Sequence, residues 1–157
     1  KPLPIYGDGR NIRDWLFVED HCQGIERVLE RGRIGETYNI GGWSEVENID
    51  LVRRLCRIAD DAFRSDPSLA ARFPASPCAR NLEAESLLTF VRDRPGHDRR
   101  YAIDCRKAEG ELGFSPSISL EEGLKRTFAW YLGNEPWWRA VMDGSYRDWV
   151  STQYAGS

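Results

Sequence analysis

Twelve consecutive residues, Phe90-Val91-Arg92-Asp93-Arg94-Pro95-Gly96-His97-Asp98-Arg99-Arg100-Tyr101, hold four arginines and one of the chain's two histidines. Clustered guanidinium groups suit the capture of oxyanions. Each offers a planar fork of donors matched to phosphate or carboxylate oxygens, and a histidine adds a donor on a short, stiff arm. Pro95 fixes its own φ and pushes Arg94 toward an extended conformation, while Gly96 allows a turn that a Cβ would resist. Arg94 and His97 can then point into the same space. The competing reading of these residues is a charged surface loop joining a strand to a helix, with its arginines solvated or paired to Asp93 and Asp98.

The positive charge is local. The chain carries a net charge of −3 with a pI near 5.5, so it lacks the broad basic surface that nucleic-acid binding needs, yet one basic loop suffices for a small phosphorylated ligand. At 157 residues, 41% hydrophobic and 30% charged, it has the composition of one ordinary globular domain with its own core. No apolar run approaches the roughly 18 residues of a membrane span and no signal peptide is visible, so no membrane partner is expected and the expected location is cytoplasmic. Cys22, Cys56, Cys78 and Cys105 lack CxxC spacing, which predicts reduced thiols rather than a zinc site or redox pair. The neighbours His21 and Cys22 have no second ligand cluster, so no metal site is expected. A search for G-x-G-x-x-G finds none, and no Tyr is followed four residues later by Lys, so no catalytic residue and no dinucleotide cofactor are assigned to this chain alone. The opening Lys1-Pro2-Leu3-Pro4, without an initiator Met, reads as a start inside a longer protein.

The elements that must position the loop follow from periodicity. Leu3 to Tyr6 reads as a short extended segment ended by Gly7-Asp8-Gly9, and Asn11 to Phe17 as a second extended stretch in which Arg13 and Asp14 could form a local ion pair. Val18, Cys22, Ile25 and Leu29 recur at helical spacing and predict a helix with that stripe toward the core. Thr37 to Gly42 reads as a buried strand. Leu51, Val52, Leu55, Ile58, Ala59 and Ala62 predict a second helix, with Asn48 or Asp50 as its N-cap. The stretch 66–85, with Pro67, Pro74 and Pro77, reads as a long loop in which Ser68 to Arg72 could form one helical turn. Leu87 to Val91 is the strand that delivers the basic loop. Asp104 to Leu112 predicts a short helix ended by Gly113, and Ser119-Leu120-Glu121-Glu122 is a capping box opening a helix through Tyr131. A last helix carries Trp137 and Trp138.

Several of these segments resemble a known family. Pro2-Leu3-Pro4-Ile5-Tyr6-Gly7-Asp8-Gly9, Asn11-Ile12-Arg13-Asp14-Trp15, Val18-Glu19-Asp20-His21, Tyr38-Asn39-Ile40-Gly41-Gly42, Asn48-Ile49-Asp50 and Arg94-Pro95-Gly96-His97-Asp98-Arg99-Arg100-Tyr101 resemble, in order and spacing, the C-terminal half of the dTDP-glucose 4,6-dehydratases, within the extended short-chain dehydrogenase/reductase family. The resemblance implies an α/β fold: the C-terminal substrate-binding part of a Rossmann-type enzyme, with short strands and four or five helices. Residues 1–140 would be the sugar-nucleotide-binding part, some of it packing on an NAD-binding half, and 141–157 a tail of unknown role. It further implies that Pro4, Ile5 and Tyr6 line the nucleotide side of the pocket, that Arg13 binds the pyrophosphate, and that Asn48 hydrogen-bonds near the phosphates. Asp93, Arg94, Pro95, Gly96 and His97 would close over the diphosphate. The full enzyme would be a homodimeric NAD-dependent lyase of deoxysugar biosynthesis, converting dTDP-glucose to dTDP-4-keto-6-deoxyglucose, with NAD held by an N-terminal half. The chain alone is expected to be inactive, and either to self-associate through the faces around Tyr38, Ile40 and the Val18 to Leu29 helix or to be loosely folded there. The alternatives are a lobe of a related sugar-nucleotide epimerase or decarboxylase, or a non-catalytic nucleotide-binding module.

Overall fold

In a computed structural model that describes residues 1–143, two short strand pairs organise the first of two compact units, Lys1–Leu124; the second begins at Lys125. Strand β1 (Leu3–Tyr6) is the first element, and β2 (Ile12–Asp14) follows the Gly7 to Gly9 turn. Helix α1 (Val18–Arg31) leads through an extended segment to β3 (Glu45–Glu47), which pairs antiparallel with β2, Arg13 opposite Val46. Helix α2 (Asn48–Ser65), the five-residue α3 (Ser68–Arg72) and two 3-10 turns precede β4 (Leu88–Val91), which runs parallel to β1 with Tyr6 opposite Val91. Helices α4 (Arg106–Leu112), α5 (Leu120–Gly133) and α6 (Glu135–Asp143) complete the described residues.

The α-helices number six among the described residues, against the four or five expected. The additional one is α3, and the stretch around it is folded rather than open. Leu69 is buried, and Asp60 of α2 accepts hydrogen bonds from the Ala84 N–H at 2.8 Å and the Cys78 thiol at 3.2 Å. A carboxylate that gathers donors from two points of a loop ties it down, so this long connection lies against α2.

The central cluster is Ala108, Leu112 and Phe114, against which Leu16, Val28, Tyr38 and Ile40 pack. Burying a side chain such as Leu112 fully is worth roughly 1.5–3 kcal/mol. Gly113, at φ 65, ends α4 as expected, since the left-handed conformation there suits a residue without Cβ.

Two expectations are corrected. The stripe Val18, Cys22, Ile25 and Leu29 faces outward, with Leu29 82% exposed, and α1 instead buries Asp20 and Gly24. Gly24 lets the helix sit close against the core, because a Cβ there would lie 2.7 Å from Ile40. Asp20 is fully buried and accepts three bonds from the segment preceding α5: Ser117 N–H at 3.0 Å, Ser117 hydroxyl at 2.7 Å and Ile118 N–H at 3.0 Å. The second correction concerns Thr37 to Gly42, which is extended but forms no strand, since no strand lies beside it among the described residues. It is held instead by side-chain contacts with distant parts of the chain: Tyr38 and Ile40 pack on the core cluster, the Tyr38 hydroxyl donates to Glu111 at 2.8 Å, and the Gly42 N–H bonds the Asp14 carboxylate.

In the second unit, Trp130 meets Tyr131 and Trp137 edge-on, each at 5.2 Å between ring centroids, and Trp138 Nε1 donates to the Tyr131 carbonyl at 2.8 Å. The tail expected from residue 141 lies outside the described residues from 144 onward.

Candidate functional site

The carboxyl ends of β1 and β4 lie side by side, with Gly7 N–H donating to the Val91 carbonyl at 3.0 Å. The basic loop therefore leaves β4 beside the Gly7 to Gly9 turn. It returns against β2, where Ile12 N–H bonds the Arg99 carbonyl at 2.8 Å and Tyr101 N–H bonds the Ile12 carbonyl at 3.0 Å. Helix α2 starts on the same turn: Asn48 N–H donates to the Asn11 carbonyl and Ile49 N–H to the Gly9 carbonyl, both at 2.9 Å. The segments bearing all ten candidate residues thus meet through backbone hydrogen bonds. This also corrects the expected cap. The N-cap position of α2 is Glu47, with no side-chain cap, and the first two N–H groups of the helix, those of Asn48 and Ile49, donate to backbone carbonyls. Asn48 is left with no capping duty at the edge of the site.

The loop settles most of its charges internally. Arg99 grips Asp8 at 2.9 and 3.1 Å, and Arg100 makes a forked pair with Glu45 at 2.7 and 3.0 Å. Asp93 and Asp98 do not pair with the arginines. His97 Nδ1 lies 2.7 Å from Asp93, and Asp98 accepts a short bond from the Tyr101 hydroxyl. Among the described residues, Arg92 and Arg94 have no side-chain hydrogen bond or ion pair, on a loop that is exposed. Arg99 and Arg100 are thus tied to carboxylates, while Arg92 and Arg94 are exposed, which the solvated-loop reading accommodates as well as an anion site does.

Arg13 also differs from the simplest expectation. Its guanidinium bonds the Ile12 and Asp98 carbonyls at 2.6 and 3.1 Å and stacks 4.3 Å over the Tyr101 ring. Asp14 is not its partner. The Asp14 carboxylate receives the N–H groups of Gly42 and Ser44, each at 2.8 Å, and so joins β2 to the loop before β3. The Tyr101 hydroxyl is pushed up from its ordinary value by the hydrogen bond to Asp98, while the charges of Arg13 and Arg94 oppose that shift.

Of the remaining candidates, Pro4 is exposed and Tyr6 half-exposed, so both present side chains to a ligand. Ile5 is 1% exposed; its side chain belongs to the core beside Gly9, and what it offers is the backbone of β1. Pro95 and Gly96 form the exposed turn, with Gly96 at φ 71. Tyr101 was not singled out from the sequence, although an aromatic ring closing an arginine-rich run is a usable signal for cation–π stacking. Asp14 carried no such signal. A surface cleft of about 450 Å³ lies elsewhere, between Trp43, Ile103 and Arg106, and includes none of the ten candidates. The described residues contain no group of three or more His, Cys, Asp or Glu that could hold a metal ion, and no helix long and apolar enough to cross a membrane.

The chain was also compared with known proteins. The chain is 48% identical over 147 residues to a dTDP-glucose 4,6-dehydratase of Xanthomonas campestris pv. campestris, covering 94% of the chain and 38% of that relative. Among solved structures, a dTDP-glucose 4,6-dehydratase from Bacillus anthracis in complex with NAD matches 90% of the chain and 38% of its own length, with a TM-score of 0.71 and 38% identity. Another, from Streptomyces venezuelae with NAD and TYD bound, matches 87% of the chain and 35% of its own, at 0.69 and 39%. The chain thus spans little more than a third of the proteins it matches. The Rossmann-type α/β class is that of these neighbours. The family described as GDP-mannose 4,6 dehydratase matches residues 1–127, and the chain belongs to that family.

Proposed function

We propose that this chain forms the sugar-nucleotide-binding portion of a dTDP-glucose 4,6-dehydratase. The observation that supports the reading is the backbone-bonded joint of β1, β2, β4 and α2, where Arg13 lies over the Tyr101 ring and the exposed Arg94 has, among the described residues, no side-chain ion pair. A diphosphate laid there would meet the Arg94 fork and the edge of Arg13, with His97 as a further donor. Tyr6, at the end of β1, offers a ring face to the nucleotide base, next to Pro4. Asn48 adds an amide at the edge. None of these groups performs acid–base or hydride chemistry in this reading. They hold the diphosphate and so fix where the hexose lies, the kind of remote grip that lowers the entropic cost of a reaction elsewhere in a protein.

The relatives with solved structures are described with NAD, which in the full enzyme would accept and return the hydride during loss of water from the sugar. This chain carries neither a G-x-G-x-x-G turn nor a Tyr-x-x-x-Lys pair, so the residues here fit the sugar nucleotide and not the dinucleotide. The assignment favours the dehydratase over an epimerase lobe because the relatives near half identity carry that name. We further propose a homodimeric full enzyme in the cytoplasm. Calorimetric titration with dTDP tests the reading: saturable binding, weakened by Arg94→Ala, supports it, and unchanged affinity removes Arg94 from the site.

A further inference from the structure

The carboxylate of Asp93 is out of place in a site for an anion. It lies between two groups assigned to the diphosphate, Arg94 and His97, and a carboxylate facing phosphate oxygens would repel them. Its contacts point inward instead. Asp93 Oδ1 accepts the Arg94 N–H at 2.9 Å and sits 2.7 Å from His97 Nδ1. Oδ2 lies over Gly7, where a Cβ would come within 2.8 Å of it, and Gly7 is at φ 60. The His97 side chain is 13% exposed against 43% for Asp93, so the ring is held and the carboxylate braces it.

We propose that Asp93 is a positioning residue that acts through His97, orienting the imidazole so that Nδ1–H is spent on the carboxylate and Nε2 is the nitrogen that meets the phosphate. The inference rests on the diphosphate reading above. An ionised carboxylate accepts only, so Nδ1 must be the donor across the 2.7 Å contact. Nε2 has no protein partner among the described residues. A diphosphate oxygen at neutral pH also accepts only, so Nε2 must bring a proton as well. His97 therefore engages the anion as imidazolium, with Asp93 offsetting the charge. No bond to carbon or phosphorus changes.

Other charged groups border the loop. Asp8, in the turn after β1, is held by Arg99, and Asp98 is taken by the Tyr101 hydroxyl. Arg13 of β2 lies over the Tyr101 ring. Arg94 joins His97 in lowering the Asp93 carboxyl below its ordinary value, the His97 hydrogen bond being the largest cause. Asp93 is the carboxylate in contact with the ring. Gly7 makes the arrangement possible, because a side chain there would push Asp93 off His97.

Two measurements test this on the chain as it stands. Long-range proton–nitrogen NMR of His97 without ligand should show its neutral form as the Nδ1–H tautomer, the reverse of the form free imidazole side chains favour. An Nε2–H tautomer would overturn the proposal whether or not dTDP binds. In dTDP titrations, Asp93→Ala should weaken binding about tenfold, the scale of one charge-assisted hydrogen bond. In a His97→Ala background the same change should cost nothing further, since a residue acting through another is silent once its partner is gone. Additive losses would assign Asp93 a role in folding the loop and sink the inference. Failure of the unmodified chain to bind dTDP would refute the diphosphate reading instead, and the tautomer would still decide the role of Asp93.

Discussion

Replacing Asp20 probes the packing of α1 that the sequence pattern concealed. The carboxylate is fully buried and receives three donors from Ser117 and Ile118 at 2.7 to 3.0 Å. Asp20→Ala strands two backbone N–H groups and a hydroxyl in the space it vacates. Hydrogen bonds to a charged group are worth about 1.5–3 kcal/mol each, but neighbouring losses overlap and the serine hydroxyl can turn elsewhere, so the expected net cost is about 3–5 kcal/mol. That is a large share of the roughly 5–15 kcal/mol that holds a typical domain folded. Asp20→Asn keeps one oxygen for Ser117 but turns an amide NH₂ toward the Ile118 N–H, donor against donor. About half the alanine cost is expected for it. Urea denaturation followed by tryptophan fluorescence gives both values, with the slope unchanged if only the native state is affected. A cost below about 1 kcal/mol for Asp20→Ala would mean that the carboxylate does not tie α1 to the start of α5.

Four further outcomes follow. Gly7→Ala should weaken dTDP binding by about tenfold through the displaced Asp93, as judged by calorimetry, and Gly96→Ala, whose Cβ would meet nothing within 4 Å, should cost only the strain of its positive φ, about 1 kcal/mol. Burial pushes the Cys56 thiol up to about 11, so a thiol reagent at mildly alkaline pH should modify exposed Cys22 at once and Cys56 only on unfolding; equal rates would contradict the packing of α2. Asp93 titrates below its ordinary value, so its tie is complete above the ordinary carboxylate range and lost as pH falls through the lowered folded value; chemical shifts of His97 that move as Asp93 alone gains its proton should track that loss. Finally, the outward stripe of α1 and the unpaired Tyr38 to Ile40 segment should make the isolated chain self-associate. Sedimentation should show this, with Leu29→Asp reducing it, and a monomer with slow hydrogen exchange at Tyr38 to Ile40 would speak against it.

The strand delivering the basic loop, the helix stop at Gly113 and the helix start at Ser119 were legible in residue order. Those features are set by neighbours along the chain: Pro95 and Gly96 shape the turn they occupy, and Ser119 Oγ accepts the Glu122 N–H three residues on. What could not be read was which partner each group would find across the fold. Helical spacing showed that Val18, Cys22, Ile25 and Leu29 share a face, but not that Asp20 and Gly24 on the opposite face would take the buried side. Tyr38 and Ile40 have the composition of a strand, yet a strand needs a neighbour to pair with. Asn48 looked like a cap because it precedes an apolar helical run, but it is the first residue of the helix, and its N–H and that of Ile49 bond the carbonyls of Asn11 and Gly9, which lie 37 or more residues back in the chain. Asp14 and Asp93 are ordinary carboxylates in sequence, and their contacts with Gly42, Ser44 and His97 depend on loops folding back.

The structure of this chain with dTDP bound tests the central claim most directly. The account predicts the diphosphate within hydrogen-bonding distance of Arg94 and His97, with Arg13 alongside, Asn48 at the edge and the base against Tyr6. Density for the diphosphate instead in the cleft between Trp43, Ile103 and Arg106, with the Arg94 loop empty, would contradict it.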